Sequence, residues 1–241
     1  MISYASVSKK GNRDINEDSI GTFVAEGLSG FIICDGLGGH GMGDVASSLV
    51  VRNFKDILNR TSRIDPAIIR NIFSHFNSDL LNKQDELNAQ NKMKTTAAIL
   101  LLNNDFGYIA HIGDTRVYLF NNGRFVKRTI DHSVPEALRL SGQIDESEIR
   151  HHPDRNKLLR VLGDKERALG VVISDPIPLI RGMKFLICSD GFWEYIDEPK
   201  MEYLLSETNT PQEWLEMLTF EVEKNGLQRN MDNYSAIAVW V

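Results

Sequence analysis

The stretch TAAILLLNNDFGYIAHIGDTRVYLFNNGRFVKRT, residues 96–129, decides the fold. It breaks into short apolar runs at 96–102, 106–112, 117–120 and 125–129. Asn103-Asn104-Asp105 and Asn121-Asn122-Gly123 separate them, and both triplets are turn formers. Runs this short, bounded by turn residues, read as strands rather than helices. The stretch therefore predicts an antiparallel meander.

The pattern alternates on either side. Residues 31–34 form a buried strand, stopped by a glycine-rich segment at 36–43. Residues 44–58 space Val45, Leu49, Val50, Phe54, Ile57 and Leu58 as an amphipathic helix does. Asp65 before Pro66 is a helix start, with Ile68, Ile69, Ile72, Phe73, Phe76 and Leu80 on one face. The segment from Ser133 to about Gly170 is charged and resists assignment. A strand at 184–188, helices at 199–206 and 211–225, and a closing strand at 234–241 complete the chain. Antiparallel strands with helices in two blocks predict an α+β fold, two β-sheets with helices packed outside. No repeat or linker interrupts the 241 residues, so a single domain is expected.

Composition narrows the function classes. The chain is 42% hydrophobic and 25% charged, with a formal charge of −6. No Lys/Arg-rich run marks a nucleic-acid face. No apolar run approaches the roughly 20 residues of a membrane span, and the N-terminus lacks the order of a signal peptide. A cytoplasmic protein that binds neither nucleic acid nor membrane is expected. Cys34 and Cys188 each end an apolar run and read as buried thiols. Neither is followed by the arginine that cysteine-based phosphate chemistry needs, since His40 and Glu194 stand at those places.

The acidic residues share a context. Asp35 and Asp190 each follow an apolar strand and precede glycine. Asp114 follows residues 109–113, Asp232 precedes the last strand, and Glu17-Asp18 lies near the start. One Asp-Gly after a strand is ordinarily a turn. If the strands are sheet neighbours, however, their ends converge and the carboxylates meet. Carboxylates that close raise one another's pKa unless a cation neutralises them. Oxygen-only donors select Mg2+ or Mn2+. Two such ions about 3.5–4 Å apart activate a bridging water and clamp both oxygens of a phosphoryl displacement. Arg13, ahead of Glu17-Asp18, can hold the phosphate through paired hydrogen bonds.

These residues fall in motifs. Gly11-Asn-Arg-Asp-Ile-Asn-Glu-Asp18, Cys34-Asp-Gly-Leu-Gly-Gly-His40, Thr95-Thr-Ala97, Gly113-Asp-Thr-Arg116, Asp131-His-Ser133, Ser189-Asp-Gly191 and Asp232-Asn233 occur in an order that resembles the PP2C-type (PPM) metal-dependent serine/threonine protein phosphatases, bacterial branch. The resemblance implies an αββα sandwich and hydrolysis of phosphoserine and phosphothreonine by direct attack of a metal-bridging water, opposing a protein kinase. It implies two or three Mn2+ or Mg2+ ions. Asp35 would bridge two of them, helped by the Gly36 carbonyl. Asp190 and Asp232 would bind the first ion, and Glu17 would support the second through water, with Asp18 in the outer shell. Asp114 with Asp190 would hold a third ion, Arg13 would hold the substrate phosphate, and residues 134–170 would form a flap beside the site. Partners would be phosphoproteins and a cognate serine/threonine kinase, and a monomer is expected.

Departures from the motif matter too. Leu37 stands where many eukaryotic relatives carry a histidine proposed as general acid. His40 reads as a loop residue facing elsewhere, His132 as positioning the flap, and His151-His152 as an exposed pair. Two other readings compete. A non-catalytic phosphoprotein binder would lack metal ligands, and a two-metal hydrolase of nucleotides or phosphodiesters would act on bis-esters.

Overall fold

A computed structural model of the chain describes residues 2–37, 41–166 and 168–241. Among these, two antiparallel sheets stack face to face between helical layers, the expected αββα sandwich. One sheet joins β1 (Ser3–Lys9), β11 (Tyr234–Trp240), β10 (Lys184–Cys188), β6 (Arg116–Asn121) and β7 (Arg124–Arg128) in that order. The other joins β2 (Asp18–Ala25), β3 (Leu28–Asp35), β4 (Ala97–Leu102), β5 (Phe106–Ile112) and β8 (Val172–Ile173). A short β9 (Ile177–Pro178) also pairs with β5.

The unbroken apolar runs have a simple cause: their strands are buried on both faces. In β4, Ala98, Leu100 and Leu102 enter the core between the sheets, while Ala97, Ile99 and Leu101 meet the helices. Those helices are α1 (Gly43–Leu58) and α2 (Pro66–Glu86), whose Phe54, Ile69, Phe73 and Phe76 are fully buried. Asp65 caps α2, its carboxylate accepting from the Ile68 N–H at 2.8 Å, as the Asp-Pro signal predicts. The opposite layer holds α4 (Asp190–Trp193), α5 (Glu198–Ser206) and α6 (Pro211–Gly226). Its core is built on Trp193, Met201, Trp214 and Leu218. Cys34 and Cys188 are both buried thiols facing the helices. Among the described residues no helix is long and apolar enough to cross a membrane.

The decisive stretch is organised differently from the expected meander. β4 and β5 form a hairpin in one sheet, and β6 and β7 form a hairpin in the other. Between β5 and β6 the chain changes sheets instead of turning back. Gly113, at φ +98°, makes the crossing, and a Cβ there would lie 2.5 Å from the Thr96 methyl. The crossing carries Asp114 to the shared end of both sheets.

The unassigned charged segment begins with α3 (Val134–Leu140), capped by Ser133, and a 3-10 helix at Glu146–His151. Its base is tied down twice, by bridges Ser133 to Leu158 and Thr95 to Leu162. Ion pairs hold the rest. Arg128 and Arg139 both reach Glu136 and Glu146, and Arg150 reaches Glu198 at 2.8 Å.

Candidate metal centre

Register places the first pair of acids. In the β2–β3 ladder Asp18 lies directly opposite Asp35. The Asp35 backbone is fixed from β4: its N–H donates to Thr96 Oγ1 at 3.0 Å, and its carbonyl accepts from Thr95 Oγ1 and the Thr96 N–H, each at 2.8 Å. Thr96 Oγ1 in turn shares a 2.6 Å hydrogen bond with Thr115 Oγ1, beside Asp114. The next residue must be small. A Cβ on Gly36 would lie 2.2 Å from the Gly43 carbonyl and 2.7 Å from that of Glu17, so only glycine lets the start of α1 close over β3. That approach brings Asp44 and Glu17 to the same rim.

The other sheet supplies the second group. Ser189 directly follows β10, and its Oγ donates to Asp18 Oδ2 at 2.7 Å while accepting from the Ser235 N–H at 2.9 Å. Asp190 follows as the first residue of α4. Asn233 secures the N-terminal loop: its side chain accepts from the Glu17 N–H at 2.8 Å and donates to the carbonyls of Lys10 and Ile15, each at 2.9 Å. Arg13 on that loop pairs with Asp232 at 2.8 Å. The acids thus come from both sheets and meet at one end of the sandwich. The expected convergence of neighbouring strands within a single sheet accounts for only part of the set.

The resulting cavity measures about 810 Å³. Arg13, Glu17, Asp35, Gly36, Asp114, Asp190 and Asp232 all line it, and Leu37 does as well. Asp18 stands behind them, 6% exposed, and its Oδ1 has no hydrogen-bond partner among the described residues. Burial raises the acids' pKa values, and their neighbours add to it. Asp35 and Asp114 are pushed well up by burial and then by the Asp190 charge. Burial pushes Asp18 to about 7 against the Ser189 hydrogen bond, and burial with Asp232 pushes Asp190 to about 6. Glu17 rises through burial and then Asp44.

Among the described residues no three carboxylate, imidazole or thiol groups already meet at one ligating point. The acids line the cavity instead. The donor set still fits hard divalent cations. It is all oxygen, it is buried or half-buried, and its acids favour neutralisation.

Lys94, Asp44, Arg160 and Asp164 also line the cavity and were not foreseen. Asp44 had a signal, an acid in the first helical turn after a glycine-rich loop. Arg160 and Asp164 had none, because the strand-like return at Thr95–Leu162 that delivers them spans distant sequence. His132 accepts the Gly113 N–H at 3.2 Å and stacks on His111 with centroids 5.1 Å apart, which suits its expected positioning role. His151 is exposed, whereas His152 is half-buried and accepts the Asp154 N–H. His40 lies outside the described residues.

A sandwich with this acidic end defines a class. A family model described as Protein phosphatase 2C matches residues 7–231. The chain belongs to the protein phosphatase 2C family of metal-dependent serine/threonine protein phosphatases, so it is a phosphoric monoester hydrolase with phosphoprotein substrates. It is 30% identical over 225 residues to serine/threonine phosphatase stp of Listeria innocua, covering 91% of this chain and 88% of that one. Serine/threonine phosphatase Stp1 from Staphylococcus aureus superposes with a TM-score of 0.90 at 28% identity, covering 100% of this chain and 95% of that one. The catalytic domain of the phosphatase PstP, solved with two manganese ions, gives 0.83 at 24% identity, covering 99% and 97%.

Proposed function

We propose that this chain hydrolyses phosphoserine and phosphothreonine on proteins with Mn2+ or Mg2+ held by the acidic cavity. The observation that carries the reading is the set Asp18 and Asp114, buried, with Asp35 and Asp190, half-buried, whose pKa values desolvation and mutual repulsion raise together. Such a set is costly when charged unless cations join it. When bound, the ions would activate water and offset charge on the transferring phosphoryl group.

The chain's own residues divide the work. Asp35 would be shared between two ions, with the Gly36 carbonyl joining it. Asp190 and Asp232 would serve the first ion, and Glu17 the second, largely through water. Asp114 with Asp190 would serve a third. Asp18, fixed by Ser189, would act from behind. Arg13, now paired with Asp232, would hold the substrate phosphate through two of its oxygens. Leu37 carries no proton to donate, so the leaving alkoxide must be protonated from elsewhere in the cavity. The manganese ions of the PstP domain support the choice of metal.

Residues 134–170, tied at their base by Ser133–Leu158 and Thr95–Leu162, would form the flap of a single domain spanning 1–241. The setting would be a cytoplasmic monomer acting against a serine/threonine kinase. Purified protein should release phosphate from a phosphothreonine peptide with Mn2+ and lose that activity in EDTA. A folded protein that binds Mn2+ by calorimetry yet leaves the peptide intact would overturn the reading.

A further inference from the structure

The large apolar side chains left exposed are not spread evenly. Ile130, Leu140, Leu159 and Val172 gather round one hollow of about 460 Å³. Ligand pockets commonly fall in the range of roughly 300–1,000 Å³. The hollow is walled by β7 and β8, which end the two sheet orders, and by α3 of the charged segment. Ile109 and Val117 join it to the core between the sheets.

Most of its polar side chains are already engaged. Thr129 Oγ1 accepts the Val117 N–H and Ser174 Oγ accepts the Ile109 N–H, each at 3.0 Å. His111 Nε2 lies 2.8 Å from the Ile130 carbonyl, and His132 accepts the Gly113 N–H. Asp131 is taken by Arg116, and Arg128 by Glu136 and Glu146. Two charges remain. Lys127 and Arg160 line the hollow without an ion-pair partner among the described residues. Apolar walls, two unspent cations and no unneutralised acid suit a ligand that is apolar along its body and anionic at one end. Because the hollow reaches the core between the sheets, a slender chain fills it better than another protein's surface does.

We propose that this hollow is a binding site for a small aliphatic carboxylate. The chain of the ligand lies against Ile109, Ile130, Leu140 and Val172, and its carboxylate is held by Lys127 and Arg160. The inference stands apart from the phosphatase reading, since none of these side chains is among the proposed metal ligands.

Calorimetry of the full chain with Mg2+ present tests this, with hexanoate, octanoate and decanoate as probes. Affinity should rise about tenfold for every two methylenes added, as burial of a growing chain requires. Lys127→Gln/Arg160→Gln should weaken octanoate about tenfold and leave 1-octanol binding unchanged, because only the charge-assisted contacts are lost. Ala137→Trp places an indole in the hollow from an exposed helix position, and it should weaken octanoate by about tenfold or more with the circular dichroism unchanged. Leu140→Gln, at a side chain that is 61% exposed, should weaken it about threefold and keeps the test decisive if the tryptophan variant does not fold. Affinity that ignores chain length, or that is the same in the parent, Ala137→Trp and Leu140→Gln, overturns the site. Octanoate affinity unchanged in Lys127→Gln/Arg160→Gln overturns the anionic class of ligand. Sedimentation that finds a dimer, dissociated by Leu140→Gln, overturns the proposal by giving the hollow to a second copy of this chain.

Discussion

Two regions of this molecule bury charge, and they do it in opposite ways. Around Arg116 the charges are matched. Its guanidinium donates to Asp131 at 2.7, 3.0 and 3.2 Å and to the Tyr118 hydroxyl at 3.0 Å, and it lies 3.6 Å from the centre of the Trp193 ring. Both ionic side chains are at most 1% exposed. Less than a full strand away, Asp114 and Asp190 line a cavity, have no ion-pair partner among the described residues, and have raised pKa values. Burial alone therefore says little about role. A buried charge neutralised by its own chain serves structure, and one left unneutralised awaits something from solution. Trp193 touches both regions, because its Nε1–H donates to the Asp114 carbonyl at 3.0 Å while its ring covers Arg116.

The strongest way to break this contrast is to neutralise one member of the unmatched set. Asp190→Asn keeps the shape and removes one charge. Phosphothreonine turnover should fall by about 10³-fold or more if the ions supply the main stabilisation of developing charge. The metal-free protein should at the same time become harder to unfold, because one source of repulsion is gone. Urea midpoints of metal-free protein and phosphopeptide rates check both. Activity within tenfold of the parent would remove Asp190 from the metal site.

The matched region should respond in the reverse sense. Arg116→Met leaves Asp131 buried with only Arg128, 3.5 Å away, as a partial partner. Removing one member of a buried pair costs about 3–5 kcal/mol, and replacing both members by apolar groups recovers much of it. Urea denaturation of Arg116→Met and of Arg116→Met/Asp131→Leu should show that order. A single variant as stable as the parent would mean that the pair contributes nothing.

The same contrast explains what the sequence revealed. Asp35 and Asp190 were legible because each ends an apolar run and precedes glycine, a pattern fixed by local turn chemistry. The sheets were legible because strands buried on both faces are continuously apolar. β1 and β2 were not, since SYASVSK and DSIGTFVA bury only part of each face. The crossing at Gly113 resembled a hairpin because three residues separate β5 from β6, and only the pairing of β5 with β4 and of β6 with β10 shows that the chain changes sheets. Residues 133–170 escaped assignment for a physical reason. Arg128, Arg139, Arg150 and Arg155 hold that segment by ion pairs, which leave no hydrophobic period to read.

The mildest perturbation is pH, applied to metal-free protein. In the unfolded chain aspartates titrate near 3.9. Folded, Asp190 titrates at about 6 and Asp18 at about 7, with Asp35 and Asp114 also raised. Between about pH 4 and 7 the folded state therefore holds protons that the unfolded state has released. Stability is full at the acid end and is lost as pH rises, by about 1.4 kcal/mol per pH unit for each proton held. His132 works the other way. Burial and then His111 lower its pKa to about 4, so it contributes stability above about 6.5 that is lost as pH falls toward 4. The acids outnumber it, so the melting temperature of EDTA-treated protein should fall from pH 4.5 to pH 7. Mn2+ should flatten or reverse that slope, because cations bind the charged carboxylates and replace the protons. A melting temperature that rises with pH in the absence of metal would show that the cavity acids are already neutralised by their own chain, as Asp131 is.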